Sequence, residues 1–254
     1  MKTVVITGSA RGFGYAMLEE FRKNDFNTVI CDINEEELIK TKEKLNQINS
    51  KGKIISIKCN ITKEEDINNL IEKSVQEFKT IDIWINNAGV NQDNINIWDC
   101  ETNMISKLID INLKGTIYCS KNIIPIMKKQ GKGQIFNVEG FGSNGELRTG
   151  LSIYGTSKRA CDYFEDSLAK EIEDNKLNIL IGKITPGIMI TNFIHKSLGD
   201  GKKIEIPEKT KKIYNILGDY PETIAKFIVP KIITNEKNNV NFVWLTKKGH
   251  SLDS

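Results

Sequence analysis

The strongest constraint on the fold is a regular alternation of short apolar segments with longer amphipathic segments along the 254-residue chain. Apolar, largely β-branched runs lie at 3–7, 28–31, 53–58, 81–85, 134–138, 178–184 and 240–245. Residues 64–79, between two such runs, carry apolar side chains at a period of about 3.6 residues. Apolar strands that alternate with amphipathic helices predict an α/β fold, with a seven-stranded, mostly parallel sheet covered by helices on both faces.

The same pattern predicts helices at 14–23, 35–48, 64–79, 153–175 and 221–234, and one or two helices within 98–130. Pro125 removes one helix hydrogen bond and is expected to kink the last of these. No Pro/Gly/Ser-rich linker or internal repeat divides the chain, so we expect residues 1–254 to form a single domain. The charged segment 188–220 is predicted to be a lid insertion that covers substrate at the carboxyl ends of the strands.

Composition excludes several function classes. The net charge is +3, and lysines and arginines are interleaved with acidic residues, so no basic stripe indicates nucleic acid. The five cysteines are dispersed and the chain has only two histidines, a pattern that predicts reduced thiols and no metal site. No apolar run approaches the roughly 20 residues of a membrane span. Because a strand already begins near Lys2, we expect no signal peptide and a cytoplasmic location.

A glycine-rich turn follows the first predicted strand and opens the first helix. It reads Thr-Gly-Ser-Ala-Arg-Gly-Phe-Gly from Thr7 to Gly14. Glycines allow backbone N–H groups to approach a pyrophosphate, and a helix N-terminus favours negative charge. The turn therefore predicts a Rossmann-type, doubly wound dinucleotide site whose contacts come from Gly8, Ser9, Arg11, Gly12, Phe13 and Gly14. The alternative is a tight strand-to-helix turn without a ligand.

Asp32 ends the second strand, 18 residues after Gly14, close to the spacing of an acid that binds an adenosine ribose. A carboxylate accepts hydrogen bonds from both ribose hydroxyls and repels a 2′-phosphate, so Asp32 favours NAD(H). Arg11 could bind that phosphate, which leaves NADP(H) possible. The alternative for Asp32 is a turn or N-cap residue before Glu35.

Tyr154 and Lys158 stand four residues apart at the start of a predicted helix, which places them on one helix face. A nearby ammonium favours the phenolate form and lowers a tyrosine pKa, so the pair could transfer protons. The alternative is an ordinary solvated helix face.

Together these residues resemble the short-chain dehydrogenase/reductase family, and the match covers nearly the whole chain in the expected order. Its motifs here are the 7–14 turn, Asn86-Asn87-Ala88-Gly89, Asn112 within Asp-Ile-Asn-Leu, Tyr154-x-x-x-Lys158, and the Pro186-Gly187…Thr191 loop. Two stretches, 136–143 and 217–223, are similar to a sub-branch that includes plant chlorophyll(ide) b reductases.

The resemblance implies an NAD(P)(H)-dependent oxidoreductase that interconverts a secondary alcohol and a ketone or aldehyde. Tyr154 would exchange the proton at the substrate oxygen, Lys158 would hold the nicotinamide ribose, and Asn112 would hold a water that links Lys158 to solvent. Further cofactor contacts implied by the resemblance are Ile33, Asn60, Ile61, Asn87, Ala88, Gly89, Pro186, Gly187 and Thr191. A homodimer or homotetramer built on the helices near 111–130 and 153–175 is also implied.

The sequence departs from the family pattern at one catalytic position. Gly140 stands where the family has its serine, three residues after Asn137. Ser143 is the nearest hydroxyl and could take the oxyanion-contacting role, or it could be only a turn residue. Glu139 is an unusual acid at this point, and could contact substrate or cap the loop. Asn60 replaces the usual aspartate beside adenine, and an amide can still make that contact.

Apolar residues after the nicotinamide loop favour an apolar substrate such as a hydroxysteroid or another ring compound. They are Ile188, Met189, Ile190, Phe193, Ile194 and Leu198, and the alternative is that they only pack a lid helix. Because the serine is missing, a second hypothesis is a catalytically impaired NAD(H)-binding sensor or scaffold.

Overall fold

The computed structural model describes residues 1–189 and 218–244. Nine strands lie in this part of the chain. They are β1 (Thr3–Thr7), β2 (Asn27–Asp32), β3 (Ile54–Lys58), β4 (Ile83–Asn86), β5 (Gly133–Val138), β6 (Ile179–Thr185), β7 (Ile188–Met189), β8 (Gly218–Asp219) and β9 (Val240–Val243). Seven of them form one sheet in the order β3-β2-β1-β4-β5-β6-β9, and every pair in it is parallel.

Seven α-helices connect these strands in the described ranges. They are α1 (Gly12–Lys23), α2 (Glu35–Asn46), α3 (Glu64–Phe78), α4 (Thr102–Ile109), α5 (Thr116–Gln130), α6 (Ser152–Asp174) and α7 (Pro221–Ile233). One core cluster joins α1, α2 and α7 to the sheet, and a second joins α3, α5 and α6 to the opposite face. On β1, for example, Val4 and Ile6 belong to the first cluster and Val5 to the second. The predicted doubly wound sheet with helices on both faces is therefore confirmed.

The strand order reverses at β1, whose neighbours are β2 on one side and β4 on the other. In open α/β sheets, ligands bind outside the carboxyl ends of the strands at such a switch point. The glycine-rich turn after β1 and the segment after β4 therefore lie at the expected ligand edge.

The region predicted as one or two helices within 98–130 is more complex. A 3₁₀ turn at Ile97–Asp99 precedes α4, and a π-helical segment at Asp110–Gly115 joins α4 to α5. A π segment inserts one residue into a helix and is frequent at functional sites. Gly115 permits the close approach of this segment to Ile61, whose Cδ1 atom would lie 2.6 Å from a Cβ at that position.

The short parallel pairing of β7 with β8 brings Ile188 and Met189 beside Gly218 and Asp219. Most of the predicted lid, residues 190–217, lies outside the described residues. Within the described ranges, no helix combines the length and the apolar character needed to cross a membrane.

Candidate active site

The loops that follow β1 and β4 are locked together at the carboxyl edge of the sheet. The Asn87 side-chain amide donates to the Thr7 and Gly8 carbonyls, both at 2.9 Å. Thr7 Oγ1 in turn accepts from the Asn87 and Ala88 N–H groups, both at 3.1 Å. Gly8, at φ +62°, passes so close to Ala88 that an added Cβ would lie 2.7 Å from its Cα. The predicted turn and the Asn-Ala-Gly segment are thus one unit.

Gly12 marks open space within this unit. It has φ +59°, and a Cβ built on it would meet no atom within 4 Å. Helix α1 begins here, and no side chain caps it. The N–H groups of its first turn therefore have no capping partner. A backbone cradle with free N–H donors suits a pyrophosphate. The residues present therefore fit a dinucleotide.

Asp32 lies beside the cradle. Its carboxylate accepts from the Ala10 N–H at 3.4 Å and from the Asn34 N–H at 3.1 Å. The cap of α2 is Asn34, which accepts from the Glu37 N–H at 3.1 Å. Asp32 is therefore not the N-cap of α2, and its carboxylate sits next to the turn where a ribose is expected.

The predicted adenine-side residues differ in their exposure. Ile33 is 60% exposed, whereas Ile61 is buried against the π segment. The Asn60 side-chain oxygen accepts from both the N–H and the hydroxyl of Thr62, at 3.1 and 2.8 Å. The NH₂ group of the Asn60 side chain makes no hydrogen bond to the described residues.

Helix α6 carries the predicted catalytic pair, Tyr154 and Lys158. Tyr154 is buried, and the Lys158 ammonium donates to the Val138 carbonyl at 2.8 Å, which fixes it at the carboxyl end of β5. Tyr154 packs directly over Gly140. A Cβ on Gly140 would overlap the Tyr154 hydroxyl and would lie 3.0 Å from Lys158 Cε. The absence of a side chain at the family's serine position is therefore what makes room for this phenol.

The electrostatics of the pair differ in part from the sequence expectation. Burial raises the pKa of Tyr154; the Lys158 ammonium lowers it, as expected, while Glu139 raises it further, and the net direction is upward. Burial alone lowers the pKa of Lys158, but Tyr154 and the nearby acidic groups together raise it above its ordinary value. The pair is thus a neutral phenol beside a charged ammonium at neutral pH.

Asn112 lies in the π segment and anchors the segment after β4. Its side chain donates to the Val90 carbonyl at 2.9 Å and accepts from the Val90 N–H at 2.8 Å. Its own carbonyl accepts from the Thr116 hydroxyl at 2.9 Å and from the Cys161 thiol at 3.1 Å. The predicted water link from Asn112 to Lys158 stays a prediction.

Ser143 lies in the loop between β5 and α6. Its N–H donates to the Gly140 carbonyl at 3.2 Å, and its carbonyl accepts from the Arg159 guanidinium at 2.8 Å. No hydrogen bond links the Ser143 and Tyr154 hydroxyls in the described structure, so the proposed catalytic role of Ser143 stays a prediction. Pro186 and Gly187 link β6 to β7, with Gly187 at φ +70°, and Thr191 lies outside the described residues.

The comparison with protein families decides the assignment. The model of the short chain dehydrogenase family matches residues 2–200.

The chain belongs to the short-chain dehydrogenase family.

Several relatives of this chain carry reductase names. It is 30% identical over 247 residues to the probable chlorophyll(ide) b reductase NYC1 of Oryza sativa subsp. japonica, covering 91% of this chain and 47% of that protein. It is 30% identical over 194 residues to a diacetyl reductase ((S)-acetoin forming) of Staphylococcus epidermidis, covering 76% and 73% of the two chains. The chain spans about half the length of the rice relative. The expected sub-branch is confirmed.

A solved structure of a tyrosine-to-phenylalanine variant of ElxO with NADPH bound superposes on this chain with a TM-score of 0.80. The two are 28% identical, and the match covers 95% of this chain and 96% of the other. Among the described residues of this chain, no group of three or more His, Cys, Asp and Glu side chains is arranged to hold a metal ion.

Gln92 contributes to the site but is not among the residues predicted from the sequence. Its buried side-chain oxygen accepts from the N–H groups of Ile153 and Tyr154, at 3.0 and 2.9 Å. It therefore caps the start of α6 in place of a local N-cap residue, and α6 has none. A contact across 61 residues leaves no local signal in the sequence.

Glu165 was also missed, although its spacing offered a signal. Tyr154, Lys158, Cys161 and Glu165 follow one another at intervals of four, three and four residues, which places all four on one face of α6. Glu165 is completely buried on that face.

Proposed function

We propose that this protein reduces a carbonyl group, in an aldehyde or ketone, on an apolar substrate with a nicotinamide cofactor. The observation that supports it best is the buried, neutral Tyr154 phenol beside the Lys158 ammonium at the carboxyl edge of the sheet. Membership in the short-chain dehydrogenase family and the reductase names of the relatives agree with it.

The chain's own residues would provide the cofactor site. The turn at Gly8, Gly12 and Gly14 would hold the pyrophosphate, and Asp32 would accept hydrogen bonds from the adenosine ribose. The nicotinamide ring supplies the hydride when the cofactor is bound. We propose NAD(H) as the favoured cofactor because the Asp32 carboxylate repels a 2′-phosphate. Arg11 is exposed beside it and leaves NADP(H) possible, as the NADPH in the ElxO structure also suggests.

Tyr154 would provide the proton. Because burial raises its pKa, the phenol is protonated at neutral pH and is ready to donate a proton to a carbonyl oxygen that becomes an alcohol. Reduction needs this protonated form, whereas alcohol oxidation needs the phenolate. General acid catalysis of this kind contributes about 10²–10⁴-fold to the rate.

We propose the substrate class from the names of the relatives and from the apolar residues of β7 at the carboxyl edge of the sheet. The relatives are named for the reduction of chlorophyll(ide) b and of diacetyl, which differ greatly in size. Ile188 and Met189 are half-buried where β7 leaves the carboxyl edge. We therefore propose an apolar carbonyl compound; the hydroxysteroid stays one candidate within this class.

The test is a panel of aldehydes and ketones, from small diketones to large ring compounds, assayed with NADH and NADPH separately. We expect cofactor oxidation with a subset of apolar carbonyls, with product alcohol formed in equal amount, and with NADH preferred. Tight NADH binding without turnover of any compound would instead support the sensor or scaffold hypothesis. A clear preference for NADPH would show that Arg11 outweighs Asp32.

We further propose that the protein is a homodimer or homotetramer that uses α5 and α6. Tyr163 on α6 is 75% exposed and Leu147 in the preceding loop is 96% exposed, and such apolar surface is common at interfaces. Size-exclusion chromatography with light scattering tests this, and a monomer at micromolar concentration would contradict it.

A further inference from the structure

Two buried carboxyl groups lie directly behind the catalytic pair. Glu139 follows β5, its N–H donates to the Ile184 carbonyl at 2.8 Å, and the residue is only 5% exposed. Glu165 is fully buried on the face of α6 that also carries Lys158. None of the four carboxyl oxygens has a hydrogen-bond partner among the described residues.

Two buried glutamates whose four carboxyl oxygens all lack a partner are not stable when both are ionised. An ionised carboxylate has no proton to donate, so two of them cannot hydrogen-bond to each other, and like charges in a buried site repel strongly. A single added proton changes this, because one carboxyl then donates to the other. The packing brings the two side chains together, because Glu139 lies beside β6 through its bond to Ile184, and Lys183 of β6 binds Asp162 and Asp166, which flank Glu165 on α6. In agreement with this packing, Glu139 adds to burial in raising the pKa of Glu165 well above its ordinary value.

Charges on both sides of the pair also favour a single proton. Lys183 from β6 binds Asp162 at 2.6 Å and Asp166 at 2.8 Å, and Arg159 binds Asp162 at 2.8 Å. On the other side stands the Lys158 ammonium, with the neutral groups of Tyr154 and Cys161 on the same helix face. Lys183 and Lys158 both lower the pKa of Glu165 and so oppose its protonation, and these two cations therefore stabilise the one negative charge that remains on the glutamate pair.

We propose that Glu139 and Glu165 share one proton, and that this singly charged pair acts as a positioning unit that keeps Lys158 charged and Tyr154 protonated for catalysis. The sharing of the proton does not depend on the proposed function, whereas its catalytic consequence rests on the proposed carbonyl reduction. Neither glutamate contacts the reacting atoms in this account. Each acts through the Lys158 ammonium and the Tyr154 phenol.

The pair thereby offers a reason for an acid at the end of β5. A negative charge near Lys158 and Tyr154 favours the protonated form of both groups. Glu139 contributes in this direction to Tyr154 and to Lys158, whereas Glu165 contributes to Lys158. Loss of the Glu139 charge is therefore expected to move Tyr154 ionisation to lower pH, and loss of Glu165 is expected to leave that ionisation nearly unchanged.

The sharing of a proton is tested without any substrate. Infrared spectra of the wild-type apoprotein are recorded at neutral pH in H₂O and in D₂O. Their difference should show the carbonyl stretch of a protonated carboxylic acid, which moves when the proton exchanges for deuterium. Glu165→Gln should remove this band, whereas Glu139→Gln should shift its frequency, because burial still holds the proton on Glu165 but the hydrogen bond between the two carboxyl groups is lost. Glu173→Gln, which replaces an exposed acid near the end of the same helix, should leave the band unchanged. A wild-type spectrum with no protonated carboxyl band at neutral pH would overturn the proposal, even if neither variant folds.

The positioning role is tested by tyrosinate absorbance and by the pH profile of reduction. The Tyr154 signal is isolated by subtracting the titration of Tyr154→Phe. In Glu139→Gln, the midpoint of this absorbance titration should move to lower pH. The fall of kcat on the alkaline side of the pH profile should move to lower pH with it. Glu173→Gln should shift neither. Unchanged midpoints in Glu139→Gln would overturn the positioning role. Because the absorbance titration needs no turnover, a protein without reductase activity would refute the proposed function and leave this test intact.

Discussion

Gly140→Ala tests whether the missing side chain at the end of β5 is required for the geometry of Tyr154. In the structure a Cβ at position 140 would lie 3.0 Å from Lys158 Cε and 3.1 Å from Tyr154 Cζ, and it would overlap the Tyr154 hydroxyl. Ordinary contacts begin near 3.4 Å, so the lysine and the ring must each retract by several tenths of an ångström and the hydroxyl by more.

A displacement of that size at the proton donor has a large kinetic effect. A misplacement of about 1 Å in a reacting group can lower a rate by about 10²-fold. This corresponds to about 2.7 kcal/mol in the activation barrier. We therefore expect Gly140→Ala to lower kcat for carbonyl reduction by up to about 10²-fold. NADH affinity should fall less than kcat, because Gly140 itself is not proposed to bind the cofactor and only Lys158, among the proposed cofactor contacts near it, must retract.

The matched control is Gly155→Ala, on α6 next to Tyr154. The nearest atom to a Cβ there is Gly142 Cα at 3.9 Å, so this variant should keep wild-type kcat. It should also unfold at a slightly higher temperature, because alanine is favoured over glycine within a helix by about 1 kcal/mol. The assay is steady-state reduction of an active panel compound, with NADH binding measured by fluorescence. Wild-type kcat in Gly140→Ala, or a higher kcat in Gly140→Ser, would show that the phenol does not depend on the empty position.

Three further substitutions test other parts of the structure. Gln92→Ala removes the acceptor for the first N–H groups of α6, so we expect a loss of about 1–2 kcal/mol in the free energy of unfolding by urea titration, together with a lower kcat. An unchanged kcat would mean that Tyr154 is positioned without this cap. Because the pKa of Glu165 is raised in the native state, at pH values above the ordinary glutamate pKa the native state binds more protons than the unfolded state. The free energy of unfolding of the wild type should therefore fall as pH rises through this range, by up to about 1.4 kcal/mol per pH unit. Glu165→Gln should flatten that slope, and equal slopes in the two proteins would contradict a raised pKa. Asp32→Ser should raise the affinity for NADPH relative to NADH, and an unchanged ratio would place the ribose elsewhere.

Much of the fold could be predicted because its signals are local. Buried parallel strands such as Ile83–Asn86 are short apolar runs, and helices such as α3 show their period in a single stretch of sequence. The start of α1 at Gly12 was placed two residues late, because its first turn is built from backbone N–H groups and has no capping side chain. The π segment could not be predicted, because one inserted residue barely disturbs the apolar pattern.

The parts of the candidate site that have local sequence signals could also be predicted. Tyr154, Lys158 and the glycine-rich turn are local patterns, and the structure brings the first two together at the carboxyl end of β5. Gln92 and the Glu139–Glu165 pair depend on contacts between distant segments, which only the folded chain shows. The single domain, the homo-oligomer and the cytoplasmic location stay predictions.

The sharpest test of Tyr154 as the proton donor is Tyr154→Phe, compared with Tyr163→Phe, which removes an exposed hydroxyl from the same helix. We predict that Tyr154→Phe loses about 10²–10⁴-fold in NADH-dependent carbonyl reduction while it binds NADH as tightly as the wild type. Tyr163→Phe should be fully active. Wild-type reduction rates in Tyr154→Phe would contradict proton donation by this phenol.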